Sequence, residues 1–300
     1  MRVVLSGASG LIGGMLRPFL IEHGHDVHVL VRRDPRPDAQ EVFWDPGAGK
    51  IDAQALEGAE AVIHLSGQNV AVRWTSQRKQ ELIDSRVQST RLLSETLARL
   101  SSRPKVLIAA SAIGFYGERG DEIVTEDSPA GAGFFPDLCQ AWEAASHPAR
   151  DAGIRVVNFR IGVVLSAKGG ALGKMLTPFR LGLGGRIGSG RQYLSWIASD
   201  DLLAAMYLCL TDDRFTGPVN AVGPAPATQK EFARTLARVL RRPAIFPLPA
   251  FMVRLLFGEM GRTLLLGSTR ILPARLAEHN FRFKHTILED ALRFELQVTK

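Results

Sequence analysis

The opening of the chain constrains its fold more than any other stretch. An apolar run, Val3, Val4 and Leu5, leads straight into Gly7-Ala8-Ser9-Gly10-Leu11-Ile12-Gly13, and a helical pattern follows at once. Gly7 lets the chain turn tightly off a strand, Gly10 lets backbone N–H groups approach a pyrophosphate, and Gly13 lets helix and strand pack closely. The start of the helix adds partial positive charge at the same spot. Glycine triplets also occur in ordinary turns, so context decides. Leu16, Phe19, Leu20 and Ile21 recur at near-helical spacing up to Gly24, and a second strand-like run follows at 27–31. Strand, glycines, helix and strand stand in the order a dinucleotide-binding loop requires.

Further along, apolar runs at 61–65, 106–110 and 156–161 continue to alternate with helical patterns. This predicts an α/β chain, a Rossmann-type doubly wound parallel sheet with helices on both faces. Residues 75–100 read as one long helix or a helix pair, with Leu82, Ile83, Val87, Leu92, Leu93, Leu97 and Leu100 on the apolar side. From 169 to 190 glycine mixes with basic and apolar residues, which predicts a mobile loop and a short helix near a site. After Pro224 a capping-box start, Thr228 to Glu231, opens a separate helical piece interrupted by Pro243, Pro247 and Pro249. The expected division is 1–223 as the nucleotide-binding domain, with 166–195 contributing a substrate-side loop, and 224–300 as a small, mostly helical C-terminal domain on the substrate side. Placed at the carboxyl ends of the strands, that piece would cover the crevice where open α/β sheets bind ligands.

Charge is distributed unevenly. The formal net charge is +7, and residues 224–300 hold 13 Lys and Arg against 6 Asp and Glu, so residues 1–223 balance to zero. The basic residues are interspersed, as on a solvated helical surface, and they also suit an anionic small-molecule substrate. No recognition module accompanies them, so no nucleic-acid partner is expected. The longest apolar stretch, 246–257, contains Pro247, Pro249 and Arg254 and falls short of the roughly 20 residues of a spanning helix, so no stable membrane insertion is expected. It reads as a buried helix, with peripheral membrane attachment as the alternative. Cys139 and Cys209 lie far apart and form no CxxC pair, which indicates neither a disulfide framework nor a metal site. With nothing like a signal peptide at the start, a cytoplasmic setting fits.

In the NAD-binding version of the loop, an acidic side chain near the end of the second strand accepts hydrogen bonds from the ribose 2′-OH. Here that strand ends in Arg32 and Arg33. Two guanidinium groups suit a 2′-phosphate, which a carboxylate would repel, so NADP(H) is the expected cofactor. The alternative is a solvated strand end with Asp34 in the NAD role.

Other segments follow the glycine loop in order: Val62 to Gly67, Ser85 to Leu93, Ser111 to Gly117, Thr125 to Pro129, and Trp196 and Ile197 with Asp200, Asp201 and Leu202. Together they resemble, over most of the chain, the extended short-chain dehydrogenase/reductase superfamily in its NAD(P)-dependent epimerase/dehydratase branch. Phe43 to Asp45, Asn69 to Trp74, Trp142 to Ala145 and Pro178 to Gly185 resemble one subgroup of it, the epimerase family proteins with a C-terminal domain of unknown function.

The chemistry of that superfamily rests on a Tyr-x-x-x-Lys pair, in which the lysine lowers the tyrosine pKa and the tyrosine acts as general acid or base. This chain lacks it: four residues after Tyr116, Tyr193 and Tyr207 stand Gly120, Ile197 and Thr211. Aligned on Glu143, Phe135 takes the tyrosine position and Cys139 the lysine position, and neither can do that work. Ser111 occupies the first serine position of its strand motif and Ala112 the second, which leaves Ser111 as the candidate catalytic residue. A strand-end serine satisfied by backbone is the alternative. The resemblance implies that Gly7, Ser9, Gly10, Leu11 and Ile12 meet the pyrophosphate and that Arg32 and Arg33 meet the 2′-phosphate. It puts Leu65, Ser66 and Gly67 along the adenosine and riboses and Val164 at the nicotinamide end. Arg86 stands where the superfamily has a cofactor-facing asparagine and is expected to reach the cofactor, oriented by Glu81. His64 reads as a buried strand-end histidine and Tyr116 as a packing residue. A homodimer through the helices after the third and fourth strands is also implied.

Two function classes fit these residues. One is an NADP(H)-dependent oxidoreductase or epimerase-like enzyme with a non-standard acid; the other is a non-catalytic NADPH-binding redox sensor. The glycine-rich 169–190 segment favours the first, and the missing tyrosine and lysine favour the second.

Overall fold

The structure is a computed structural model and describes residues 1–36 and 38–298. The predicted doubly wound sheet is what the chain forms. Across the main sheet the strands run Gly217–Ala221, Arg155–Ile161, Val106–Ala112, Ala61–His64, Arg2–Ser6, Asp26–Val31, Glu41–Asp45 and Lys50–Ile51. Neighbours are parallel except the last pair, where Trp44 faces Ile51 in an antiparallel hairpin. A parallel sheet is covered on both faces, so its strands are apolar throughout instead of alternating. Val3, Val4 and Leu5 are accordingly all 0% exposed. Val3 and Leu5 pack with Leu16 and Leu20 of the helix Leu11–Glu22, while Val4 packs on the other face with Leu93 and Leu97 of the helix Ser89–Arg99. Each such side chain contributes about 1.5–3 kcal/mol on burial. Strand order reverses between Arg2–Ser6 and Ala61–His64, which opens a crevice at their carboxyl ends.

Residues 75–100 form the helix pair, Ser76–Ile83 and Ser89–Arg99, joined by a π-helical turn at Asp84–Gln88. Leu82, Leu93, Leu97 and Leu100 are buried within the chain itself, so they are not free to line a dimer bundle. The 169–190 segment divides into a helix, Gly170–Arg180, whose Leu172, Leu176 and Phe179 are buried, and a run of turns and irregular chain at 181–190.

The C-terminal quarter is stitched to the sheet. The capping box at Thr228 and Glu231 opens the helix Gln229–Leu240, which packs with the helices Gly170–Arg180 and Leu288–Leu296 in one apolar cluster. Arg270–Ile271 pairs in parallel with Ile123–Val124. Two buried carboxylates tie the remaining strands of chain: Glu126 accepts from the backbone N–H groups of Asn220, Ala274 and Arg275, and Asp201 from those of Lys284 and His285. The stretch at 246–257 departs from the buried helix expected of it. In the helix Ala250–Leu264, Val253 is buried but Phe251 and Leu255 are 68% and 72% exposed. Among the described residues no helix is long and apolar enough to cross a membrane.

Candidate functional site

The turn after the first strand is drawn tight. Gly7 has φ +72°, and a Cβ there would lie 2.8 Å from the Leu65 carbonyl carbon, so the loops after Arg2–Ser6 and Ala61–His64 touch. A Cβ at Gly13 would lie 2.2 Å from the Gly7 carbonyl oxygen, which fixes how closely the helix Leu11–Glu22 approaches the loop. That helix has no side-chain cap at Gly10 and no acidic residue in its first turn. The first amides of a helix have no partner inside it, so those of Leu11 and Ile12 form an anion-attracting end beside exposed Ser9 and Gly10. Gly169 and Gly170 close over it from the far side: a Cβ at Gly170 would lie 3.1 Å from Leu11 Cδ2.

Past the second strand, one carboxylate organises two arginines. Glu41 accepts from Arg33 Nη1 at 2.8 Å and Nη2 at 2.5 Å, and from Arg36 Nη2 at 2.8 Å. Hydrogen bonds from Arg33 and then Arg36 hold its carboxyl well below the usual carboxylate range. Arg32 is exposed and makes no hydrogen bond or ion pair among the described residues. The sequence reading missed Arg36 and Glu41; a third arginine four residues after Arg32, followed by an acid opening the next strand, was the available signal.

Leu65, Ser66 and Gly67 line the crevice opposite, and Arg86 lies against them. A Cβ at Gly67 would come within 3.3 Å of Arg86 Cζ. The π-helical turn adds a residue to the helical rise and aims Arg86 inward, a use such turns often serve at sites. Its orientation does not come from Glu81, as expected, because Glu81 pairs with Arg78 and Gln77 one turn away on the exposed side. Arg86 is held by the Gln68 carbonyl at 2.8 Å and by the Trp142 ring, 5.1 Å from its centroid. It is 8% exposed, its Nε is buried without a partner, and burial lowers its pKa to about 10.

His64 is fully buried between Ser6 Oγ, 2.7 Å from Nδ1, and Ser89 Oγ, 3.2 Å from Nε2. Burial lowers its pKa from 6.5 to about 4. The unfolded imidazole takes up a proton that the folded one refuses, so stability is expected to fall by about 3 kcal/mol as the pH drops from 6.5 to 4. Urea unfolding of wild type and His64→Asn across this range checks it: the two should differ in slope, and parallel curves would remove His64 as the cause.

At the ends of Val106–Ala112 and Arg155–Ile161 the polar groups close into a chain. Ser111 Oγ donates to Glu143 Oε1 at 2.6 Å, so its partner is a carboxylate and not the backbone. Arg160 grips the same carboxylate with Nε and Nη2, each at 2.8 Å, and donates through Nη1 to Tyr116 Oη at 2.9 Å. Tyr116 donates in turn to Asn220 Oδ1 at 2.7 Å, and burial pushes its phenol up, away from any acid–base role near neutral pH. Glu143 served the sequence reading only as an alignment anchor, and its adjacency to Trp142 carried no chemical signal. Phe135 fills the space over Gly114, where a Cβ would lie 2.1 Å from its ring, and meets Trp74 at 5.5 Å between centroids. Cys139 is fully buried, its thiol pushed up to about 12 by burial. Trp74, Phe135, Leu138, Cys139 and Met260 thus form one apolar cluster. Val164, half-buried, pairs with Ile197 at the far end of the crevice.

Comparison with known proteins bears on this geometry. Residues 3–223 match the model of the NAD dependent epimerase/dehydratase family, and residues 248–295 match a domain of unknown function, DUF1731. The epimerase family protein Mb2239 of Mycobacterium bovis is 42% identical over 293 residues, covering 97% of this chain and 96% of that protein. The human epimerase family protein SDR39U1 is 36% identical over 297 residues, 98% of this chain and 99% of its own length. The crystal structure of human SDR39U1 with NADPH superposes with a TM-score of 0.90 at 33% identity, covering 99% of each chain.

Proposed function

The chain belongs to the NAD dependent epimerase/dehydratase family, and from that premise we propose that it holds NADP(H) at the carboxyl edge of its sheet and acts on an anionic small molecule. The observation that carries this reading is the Arg86 guanidinium, buried beside Gly67 with an unpaired Nε and, among the described residues, no carboxylate partner. A buried cation without an anion costs several kcal/mol, a cost that a bound polyanion removes. In this reading Gly7, Ser9, Gly10 and the amides of Leu11 and Ile12 receive the pyrophosphate. Arg32 and Arg33, with Arg36 braced by Glu41, receive the 2′-phosphate. Leu65, Ser66 and Gly67 lie along the riboses, and Val164 meets the nicotinamide. That the human relative was crystallised with NADPH supports the cofactor assignment.

A bound nicotinamide supplies hydride exchange with a substrate carbon. Ser111 and Glu143 then take the part of the missing tyrosine and lysine: Ser111 passes a substrate proton to Glu143 Oε1, and Arg160 keeps that carboxylate in place. Residues 1–223 are the nucleotide-binding unit and the basic 224–300 the substrate-side unit, in a cytoplasmic setting that suits the free Cys139 and Cys209. The apolar cluster around Phe135 and Cys139 favours a second reading, a sensor that binds NADPH without turning it over.

Calorimetric titration at fixed salt tests the cofactor. NADPH should bind at least about tenfold tighter than NADH, and Arg32→Ala with Arg33→Ala should erase that difference without weakening NADH. Tighter binding of NADH by the wild-type chain would overturn the assignment. Exposure of the NADPH complex to metabolite extract separates the readings: cofactor oxidation that stops in Ser111→Ala supports the enzyme, and tight binding with no oxidation supports the sensor.

A further inference from the structure

We propose that the chain docks peripherally on an anionic phospholipid surface through the face formed by residues 181–183 and 245–256, a proposal independent of the cofactor reading. Residues 180–188 run alongside 242–248: Phe246 N donates to the Gly184 carbonyl at 3.2 Å, Leu248 N to Arg186 at 2.8 Å, and Arg242 Nε to Arg180 at 2.9 Å. The helix Ala250–Leu264 continues from this ribbon and is broken at Gly258, where φ is +60°. Before the break it buries Val253 and turns Phe251, Met252, Leu255 and Leu256 outward, the spacing of a single helical face. Leu181, at 68%, Leu183, at 56%, and Phe246, at 54%, are exposed on the adjoining ribbon. Single exposed apolar side chains need no explanation, but a concentration of them on one face marks a contact surface.

Charge selects the occupant. The ribbon and helix start that form this face, 180–191 and 241–256, hold six Arg and no Asp or Glu. Glu259, beside Arg254 just past the break, is engaged by Lys79. Arg180, Arg186, Arg241, Arg242 and Arg254 are all exposed. A second copy docked here would bring two basic rims together, which like charges oppose. A bilayer rich in anionic headgroups accommodates both features at once: apolar side chains enter the acyl boundary while guanidinium groups remain among the phosphates. The helix is too short to do more than lie in the interface.

Sedimentation of the full chain with vesicles tests this. It should pellet with phosphatidylcholine vesicles containing about a third phosphatidylserine, less so as salt rises, and not with phosphatidylcholine alone. Phe251→Ser with Leu255→Ser should weaken that binding roughly tenfold or more while leaving NADPH affinity and Tm unchanged, since both side chains stand in solvent. Arg241→Glu with Arg254→Glu should abolish the preference for anionic vesicles. No pelleting with either vesicle at low salt would overturn the proposal. So would a dimer in gel filtration that Leu255→Ser splits, or binding to polyglutamate but not to vesicles, which would assign the face to a second copy or to an acidic protein.

Discussion

Gly13→Ala is expected to weaken NADPH binding at least about a hundredfold, near 3 kcal/mol. The added Cβ would stand 2.2 Å from the Gly7 carbonyl oxygen and 2.8 Å from Ala8 Cα, both backbone atoms with no rotamer to escape into. The helix must then retreat from the loop, and the amides of Leu11 and Ile12 move with it. Overpacking of this kind also costs stability, typically about 1–3 kcal/mol. Gly14→Ala is the matched control: its Cβ meets nothing closer than the Ala8 carbonyl oxygen at 3.7 Å, an ordinary contact, so affinity should stay within about twofold. Calorimetry with NADPH reads both variants, and a melting curve shows that Gly13→Ala still folds. Wild-type affinity in Gly13→Ala would mean that the glycine loop does not hold the cofactor.

Glu143→Gln is expected to cost about 3–5 kcal/mol of folding stability. The Glu143 and Arg160 side chains are 11% and 4% exposed and are joined by two hydrogen bonds at 2.8 Å. Glutamine keeps the shape but offers one acceptor, leaving a buried guanidinium without its countercharge. Arg160→Met on top of Glu143→Gln should recover part of the loss, because it removes the stranded cation. Urea unfolding of the three chains, with equal m-values, is the measurement. A loss below about 1 kcal/mol would show that solvent reaches the pair and that it behaves as a surface bridge.

The sequence was most legible where one physical demand dominates. Five parallel strands announced themselves as apolar runs because both their faces are covered, and the loop at Gly7 to Gly13 needed glycine for contacts that no other residue permits. Three strands of the main sheet escaped notice, all at or near its edges, and Lys50–Ile51 is only two residues long. Glu41–Asp45 is short and alternating, near the edge of the sheet, and Gly217–Ala221 is an edge strand carrying Pro218, a residue tolerated there only because one side has no neighbour to bond. At the site, residues read by type were placed well and residues that act through partners were not. Arg86 was legible, but its orientation by Gln68 and Trp142 instead of Glu81 depends on a π-helical turn, which no local pattern reveals. The union of Ser111 and Tyr116 with Glu143 and Arg160 joins three segments separated in sequence, and only the sheet brings them together.

The anchoring of the last quarter of the chain by Glu126 and Asp201 sets how the crevice can admit a ligand. Each carboxylate clasps peptide amides from the far segment; burial raises the pKa of both, and the amide hydrogen bonds are what favour their charged form, so releasing them would leave buried acceptors unsatisfied. Swinging that quarter as one jaw would therefore have to break four such hydrogen bonds at once, from Ala274, Arg275, Lys284 and His285, so the anchoring favours a crevice of fixed outline over a two-lobed clamp.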